Sequence, residues 1–135
     1  MIDFLQCCFE KVIEVCAAQI IMDSHLTVLL CIYISPSGNF GEFAVQLDLI
    51  LKCLYKPKVE FIICGNFNEN FLIVSSSAQQ LTLLLQSYDL CHIIDFPTGT
   101  TKVSSSATDN IFIDYSRINL FELFSLISGL SDLEA

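Results

Sequence analysis

The chain has 135 residues, a formal net charge of −9 and a composition that is 53% hydrophobic and only 16% charged. This length allows one domain, and six Lys and Arg against fifteen Asp and Glu argue against tight, unassisted binding of nucleic acid, because phosphate contacts need cations. The longest apolar stretches, around 15–22 and 28–34, are shorter than the roughly 20 residues of a membrane helix, and the N-terminus lacks the basic region of a signal peptide. We therefore expect one intracellular domain, in the cytoplasm or nucleus, spanning 1–135 without a membrane segment.

Cysteine usage indicates the redox environment. The seven cysteines include no CxxC pair, most of them lie in apolar runs, and the two histidines, His25 and His92, are far apart in the chain. Structural metal sites use closely spaced ligand pairs, which are missing here. The pattern predicts buried free thiols in a reducing compartment rather than a metal cluster.

The first half of the chain alternates between strand and helix signals. Residues 10–22 favour a strand over a helix, and the β-branched and aromatic run 26–34 predicts a buried strand that pairs antiparallel with it. A loop follows over 35–39. Apolar residues then recur at spacings of three and four, which predicts a helix over about 41–55 that Pro57 ends.

The second half of the chain gives a similar mixture. Ser77 and Gln80 have capping-box spacing at the start of a helix, and 120–127 is ambiguous between helix and strand. The other predicted elements are, in chain order, a strand over 59–64, a helix over about 78–87, a strand over 90–95, a loop over 96–106 and a strand over 111–115. The whole order predicts an α/β or α+β layered fold.

The segment around which these elements are arranged is FIICGNFN, residues 61–68. A buried strand ends at Gly65, and the turn after it carries Asn66 and Asn68. Open α/β sheets usually place their sites at the carboxyl ends of strands, so this turn is a candidate site. Asparagines are also ordinary turn residues, and that alternative stays open for both.

Four motifs follow one another in a fixed order: Tyr-x-Ser-Pro at 33–36, GNFN at 65–68, PTGTT with TDNIF at 97–101 and 108–112, and GLSD at 129–132. Together they resemble the endonuclease/exonuclease/phosphatase superfamily, and most closely the endonuclease domain of non-LTR (LINE-type) retrotransposons, which is associated with a reverse transcriptase. Those domains read YRxPsG, GDFN, PTRxT, IDNIF and SDH in the same order. The resemblance covers nearly the whole chain.

The resemblance implies a fold and a chemistry. The fold would be part of a four-layer α-β-β-α sandwich, and the ancestral reaction would be Mg²⁺-dependent hydrolysis of a DNA phosphodiester by in-line attack of a positioned water. The site residues that the resemblance implies are Tyr33, Asn66, Asn68 as the phosphate-binding amide, Thr101 in the loop, Asp109 before NIF, and Asp132 after Ser131. Without the resemblance, Asp109 could equally be a turn or cap residue.

The departures from the family pattern affect the chemistry. Asn66 stands where the family has the aspartate of GDFN, and Leu133 stands where it has the histidine of SDH, so one carboxylate and one proton donor are replaced. Ile34 and Gly99 replace two arginines. The family's N-terminal part, which supplies a metal-binding glutamate, has no counterpart, and Glu10 and Glu14 precede the wrong strand to replace it. Losing one general acid or base costs about 10²–10⁴-fold in rate.

Three functions are compatible with these observations. The first is an inactive domain of retrotransposon endonuclease descent, which binds no Mg²⁺ and does not bind DNA tightly. The second is a working phosphodiesterase that obtains its glutamate from elsewhere. The third is a non-catalytic interaction module that self-associates through an exposed sheet face, since a partial sandwich leaves such a face and strand edges open.

Overall fold

A six-stranded mixed sheet forms the centre of the computed structural model, which describes residues 2–9, 12–22, 24–100 and 105–120. In space the strand order is β1-β2-β3-β4-β8-β5, and β6 and β7 form a separate two-stranded sheet. The strands are β1 (Ile2–Phe9), β2 (Ile13–Met22), β3 (His25–Ile34), β4 (Val59–Asn66), β5 (Leu90–His92), β6 (Gly99–Thr100), β7 (Ser105–Ser106) and β8 (Asp109–Asp114).

The pair β3–β4 is parallel, and the other strand pairs of the sheet are antiparallel. A parallel pair needs a crossover connection, which helix α1 (Phe40–Leu54) provides. Asn39 caps this helix by accepting the backbone N–H of Glu42 at 3.1 Å. Helix α2 (Ser76–Gln86) follows β4, and a 3₁₀ helix (Tyr115–Leu120) follows β8.

The hydrophobic core lies on one face of the sheet. Alternate residues of β2, β3 and β4 point to the same side, as the two-residue period of a strand requires, and meet the apolar stripes of α1 and α2. The buried residues at this interface include Val15, Leu30, Ile32, Ile63, Phe112, Phe43, Leu47, Leu81 and Leu85. The core therefore fixes which strand residues point to the other face.

Most of the predicted elements are confirmed, including the antiparallel pair β2–β3 and both helices. Strand β1 was not predicted, and the strand expected over 90–95 is only three residues long. The capping-box prediction at Ser77 is wrong: α2 begins earlier, because the Ser75 hydroxyl oxygen accepts the backbone N–H of Ala78 at 3.1 Å. The ambiguous segment 120–127 lies, beyond residue 120, outside the described residues.

The prediction that the cysteines are buried is wrong for the five described thiols. Cys16, Cys31 and Cys53 are exposed, and Cys64 and Cys91 are half-buried. The first two occupy the face of the sheet that the helices leave uncovered, and Cys53 is on the outer side of α1. Apolar sequence context predicted burial, but the direction of each side chain decided against it.

In the described part of the chain, no helix has both the length and the apolarity of a membrane span. The layered α+β architecture is the predicted fold class, with the helices α1 and α2 on one face of the six-stranded sheet. That residues 1–135 make one domain lacking the family's N-terminal part stays a prediction.

A polar contact joins α1 to the segment after α2. The Tyr88 hydroxyl donates to Asp48 Oδ1 at 2.7 Å, and Lys52 Nζ lies 2.6 Å from Asp48 Oδ2. Burial, followed by the bond to Asp48, raises the pKa of Tyr88 to about 12, from an ordinary value of 10.0. The Lys52 contact, followed by the Tyr88 bond, lowers the pKa of Asp48.

The pH dependence of thermal stability in a Tyr88→Phe variant tests this contact. Because the folded pKa is raised, the tyrosine's contribution is fully present below pH 10 and is lost as the pH rises through 10 to about 12. We expect Tyr88→Phe to lose less thermal stability than the wild type across that window, with Tm followed by circular dichroism. Tyr115→Phe, at a ring that is 70% exposed, is the matched control. Parallel loss of Tm in wild type and Tyr88→Phe would contradict the assignment.

Candidate functional site

Four polar residues form a row across neighbouring strands at one end of the sheet. Asn66 of β4 is in register with Tyr33 of β3 on one side and with Asp109 of β8 on the other, and Tyr33 is in register with Glu14 of β2. Residues paired in this way point to the same face of a sheet. Asn66 and Asp109 are half-buried and Glu14 is exposed, as is Tyr33 at 46%. The structure thus brings three of the sequence-predicted residues together.

The turn after β4 holds the fourth predicted residue. The Asn66 side-chain oxygen accepts the backbone N–H of Asn68 at 2.9 Å, which forms an Asx turn. Asn68 has a φ of 56°, a left-handed conformation that asparagine tolerates better than most residues, and its side chain is exposed. Between them Phe67 is 1% exposed and packs edge-to-face on Phe112, with ring centroids 5.2 Å apart. Phe67 therefore anchors the turn, and Asn68 faces solvent.

A third asparagine, Asn70, holds the turn against the segment that precedes β8. Its side-chain oxygen accepts two backbone N–H groups, from Ala107 at 3.0 Å and from Leu72 at 3.1 Å. The backbone N–H of Phe67 also donates to the Thr108 carbonyl at 2.9 Å. Sequence reasoning missed Asn70, although the alternation of asparagines at every second position was the available signal.

A buried amide, Asn110, positions the loop on the other side of the row. It is 1% exposed, accepts the Ile94 N–H and donates to the Ile94 carbonyl, both at 3.1 Å. Beyond this contact the Thr98 hydroxyl oxygen accepts the Asp109 N–H at 3.4 Å. The motif TDNIF suggested only Asp109 as a site residue. Asn110 beside it fixes the loop, because a buried amide requires hydrogen-bond partners for both its oxygen and its NH₂ group.

The remaining predicted residues cannot be placed in this row. Thr101, Ser131 and Asp132, with Leu133 at the family's histidine position, lie outside the described residues. The roles assigned to all six predicted site residues stay predictions.

The carboxylates of the row are too far apart to hold Mg²⁺ together. This ion takes oxygen ligands at about 2.0–2.1 Å, usually including one or two carboxylates. Glu14 and Asp109 are the two carboxylates of the row, but they are three strand spacings apart, or about 14 Å. Among the described residues, no three His, Cys, Asp or Glu side chains lie close enough together to hold a metal. These residues do not fit the magnesium site of the family.

The resemblance found in the motifs is confirmed as a likeness of fold, because the solved structures that match this chain include proteins of the endonuclease/exonuclease/phosphatase family. No protein-family model and no curated protein matches the sequence.

Several solved structures have a fold similar to that of this chain. The endonuclease domain of TRAS1, a telomere-specific non-LTR retrotransposon, matches with a TM-score of 0.68 at 16% identity, over 97% of this chain and 62% of that one. D. rerio TDP2 complexed with single strand DNA product matches with a TM-score of 0.58 at 15% identity, over 84% of this chain and 53% of that one. The Bacteroides thetaiotaomicron VPI-5482 mannosyl-6-phosphatase Bt3783 matches with a TM-score of 0.53 at 13% identity, over 80% and 46%. The chain thus spans less than two thirds of each structure.

A glycine determines how closely β3 and β4 approach beneath the site. Gly65 has a φ of 147°, and a Cβ placed on it would lie 1.8 Å from the carbonyl oxygen of Ile32. We expect Gly65→Ala to lower the free energy of unfolding by about 2–5 kcal/mol, through backbone strain and overpacking. Urea denaturation followed by circular dichroism measures this.

Gly99→Ala is the matched control for this substitution. A Cβ at Gly99 would meet the Ser106 hydroxyl at 3.5 Å, which is an ordinary contact. We expect its free energy of unfolding to stay within about 0.5 kcal/mol of the wild type. Equal effects of the two substitutions would show that the close approach at Gly65 carries no special constraint.

Proposed function

We propose that this chain is a phosphodiesterase-like domain of retrotransposon endonuclease descent that no longer hydrolyses phosphodiesters. The observation that carries the proposal is Asn66, at the centre of the row between Tyr33 and Asp109. Its side-chain oxygen accepts the Asn68 N–H, a bond that an aspartate would also make. The shape of the turn is therefore kept, while the negative charge that the chemistry needs is absent.

The loss of charge matters because the reaction depends on it. An amide does not ionise, so Asn66 serves neither as a general base nor as a charged metal ligand. The separation of Glu14 from Asp109 prevents these two carboxylates from sharing one cation. We infer that the domain binds no Mg²⁺ with the affinity of an enzyme, and that the endonuclease activity for which the TRAS1 domain is named has been lost here.

The positions of the described Lys and Arg side chains argue against tight binding of DNA. The described Lys and Arg residues are Lys52, Lys56, Lys58 and Arg117, and Lys52 and Arg117 form ion pairs with acidic residues. Arg117 contacts Glu60 and Lys58 precedes β4, so both lie at the end of β4 away from Asn66. Phosphate binding needs cations at the site. We propose that DNA, which is bound in the TDP2 structure, is not a tight ligand of this chain.

A plasmid-nicking assay tests the loss of hydrolysis. The purified 135-residue chain is incubated with supercoiled plasmid and Mg²⁺, and the nicked fraction is compared with a reaction in EDTA. We expect the two rates to agree, since each missing acid or base costs about 10²–10⁴-fold. Fluorescence anisotropy with a labelled single-stranded oligonucleotide measures DNA binding in the same samples, and we expect no saturable signal.

Two variants make this assay decisive. Asn68→Ala removes the amide to which the resemblance assigns phosphate binding, and Gln79→Ala changes an exposed side chain of α2 as the matched control. Mg²⁺-dependent nicking by the wild type that Asn68→Ala abolishes and Gln79→Ala retains would overturn the proposal. Nicking that persists in Asn68→Ala at the wild-type rate would identify a contaminating nuclease.

A second candidate function is self-association, favoured by the exposed side chains on the sheet face that α1 and α2 leave free. Cys16, Cys31 and Tyr33 are exposed on this face, whereas the helices bury the opposite one. Strand β1 also lies at the edge of the sheet, where unpaired backbone groups favour pairing with another chain. A second copy of the chain would cover the same face of its partner.

Sedimentation velocity tests this candidate. We expect the wild type to form a dimer or a larger species that Tyr33→Asp dissociates, since a carboxylate on a contacting face must be desolvated. Leu49→Asp is the matched control, because Leu49 of α1 is 50% exposed, close to the 46% of Tyr33, on the helical side. A wild-type monomer at all concentrations, or equal dissociation by both variants, would exclude association through this face.

A further inference from the structure

Three cysteines form a second row on the uncovered face of the sheet. Cys31 of β3 is in register with Cys16 of β2 and with Cys64 of β4. The Sγ atoms of Cys31 and Cys64 are 3.6 Å apart, which is van der Waals contact between sulfurs. Cys31 is exposed and Cys64 is half-buried. Two thiols that are 33 residues apart in sequence are thus held in contact, one of them open to solvent.

The backbone spacing of this pair suits a covalent bridge. Neighbouring strands lie about 4.8 Å apart, and disulfides join Cα atoms about 4.4–6.8 Å apart. A disulfide has its sulfurs about 2.05 Å from each other. The two sulfurs therefore need to approach by about 1.5 Å, a movement that rotation of the two side chains supplies without displacing the strands.

We propose that Cys31 and Cys64 form a reversible intramolecular disulfide by exchange with a low-molecular-weight disulfide such as oxidised glutathione. The Cys31 thiolate attacks one sulfur of that disulfide, forms a mixed disulfide and releases one glutathione thiolate. The Cys64 thiol then loses its proton and attacks the Cys31 sulfur, which releases the second glutathione. The protein loses two protons and two electrons in total, and the glutathione disulfide is reduced to two thiols.

The surroundings of the two thiols indicate which of them attacks the glutathione disulfide first. Cys31 is accessible to a reagent in solution, whereas burial, followed by contact with Cys31, raises the pKa of the Cys64 thiol to about 11. A thiol that is rarely ionised at neutral pH is a slow first nucleophile. It is nevertheless already in contact with the sulfur that it must attack. Cys64 is therefore the resolving thiol.

The bridge would join the strands directly below the candidate site. Tyr33 and Asn66 lie two residues further along β3 and β4, in register with each other and on the same face as the thiols. A covalent link between Cys31 and Cys64 fixes the spacing of this strand pair. The inference does not depend on the loss of hydrolysis, since it rests on the thiols alone.

Peptide mapping tests the proposal. The full chain is reduced, freed of reductant and incubated with oxidised glutathione under native conditions. Remaining thiols are then alkylated, and the protein is digested and analysed by mass spectrometry. We expect one cross-linked species that joins the peptides of Cys31 and Cys64, with the loss of two hydrogens, and its disappearance on treatment with dithiothreitol. Cross-links that join other cysteines instead, or a stable glutathione adduct on Cys31 alone, would overturn the proposal.

Three variants and an incubation in urea serve as controls for this experiment. Cys64→Ser is expected to retain glutathione on Cys31, because the resolving thiol is gone, and Cys31→Ser is expected to form no bridge to Cys64. Cys53→Ser, at an exposed thiol on α1, is the matched control and should leave the yield of the bridge unchanged. In urea we expect the Cys31–Cys64 link to lose its dominance over other pairings. Equal dominance in urea would show that the fold does not select this pair.

Discussion

The close approach of β3 and β4 at Gly65 is the constraint on which the site depends. No other residue has the freedom of glycine at a φ of 147°, and no side chain fits against the Ile32 carbonyl. Because this pair is parallel, the carboxyl ends of both strands meet at one edge of the sheet, and Tyr33 and Asn66 become neighbours there. Strand β8 then adds Asp109 in register on the other side of β4. The central part of the polar row therefore depends on the tight β3–β4 pair, and β8 extends it.

The second constraint is that the core lies on one side of the sheet. The helices bury the side of β3 that carries Leu30 and Ile32, so Cys31 and Tyr33, which alternate with them, point to the opposite side and are exposed there. This single alternation places both the site row and the thiol row on the side opposite the helices. It also connects the proposals, because loss of hydrolysis, self-association and disulfide exchange all concern the same face. The asparagines that support the site, Asn70 and Asn110, act instead through backbone contacts at its margins.

Some elements of the fold depend on local sequence signals, and others depend on contacts between distant parts of the chain. Helix α1 was predicted from its apolar period and from Pro57, both of which are local signals, and it is confirmed. The start of α2 was misplaced because Ser75 and Ser77 offer equivalent capping hydroxyls in sequence, and only the path of the chain selects Ser75. Strand β1 was missed because its evidence is mainly its pairing with β2. The cysteines were predicted to be buried because their apolar neighbours do not show which face of the strand is covered.

The sequence by itself determined both α-helices and most of the long strands, the fold class, the polar turn at 65–68 and the replacement of an aspartate by Asn66, because periodicity, turn chemistry and motif order depend on neighbouring residues. Only the tertiary structure decided that Tyr33, Asn66 and Asp109 stand side by side, that Glu14 is too far from Asp109 to share a cation with it, and that Cys31 touches Cys64. Strand register and sheet order bring residues together across long separations in the chain, and the face on which each side chain emerges is settled only when the helices pack.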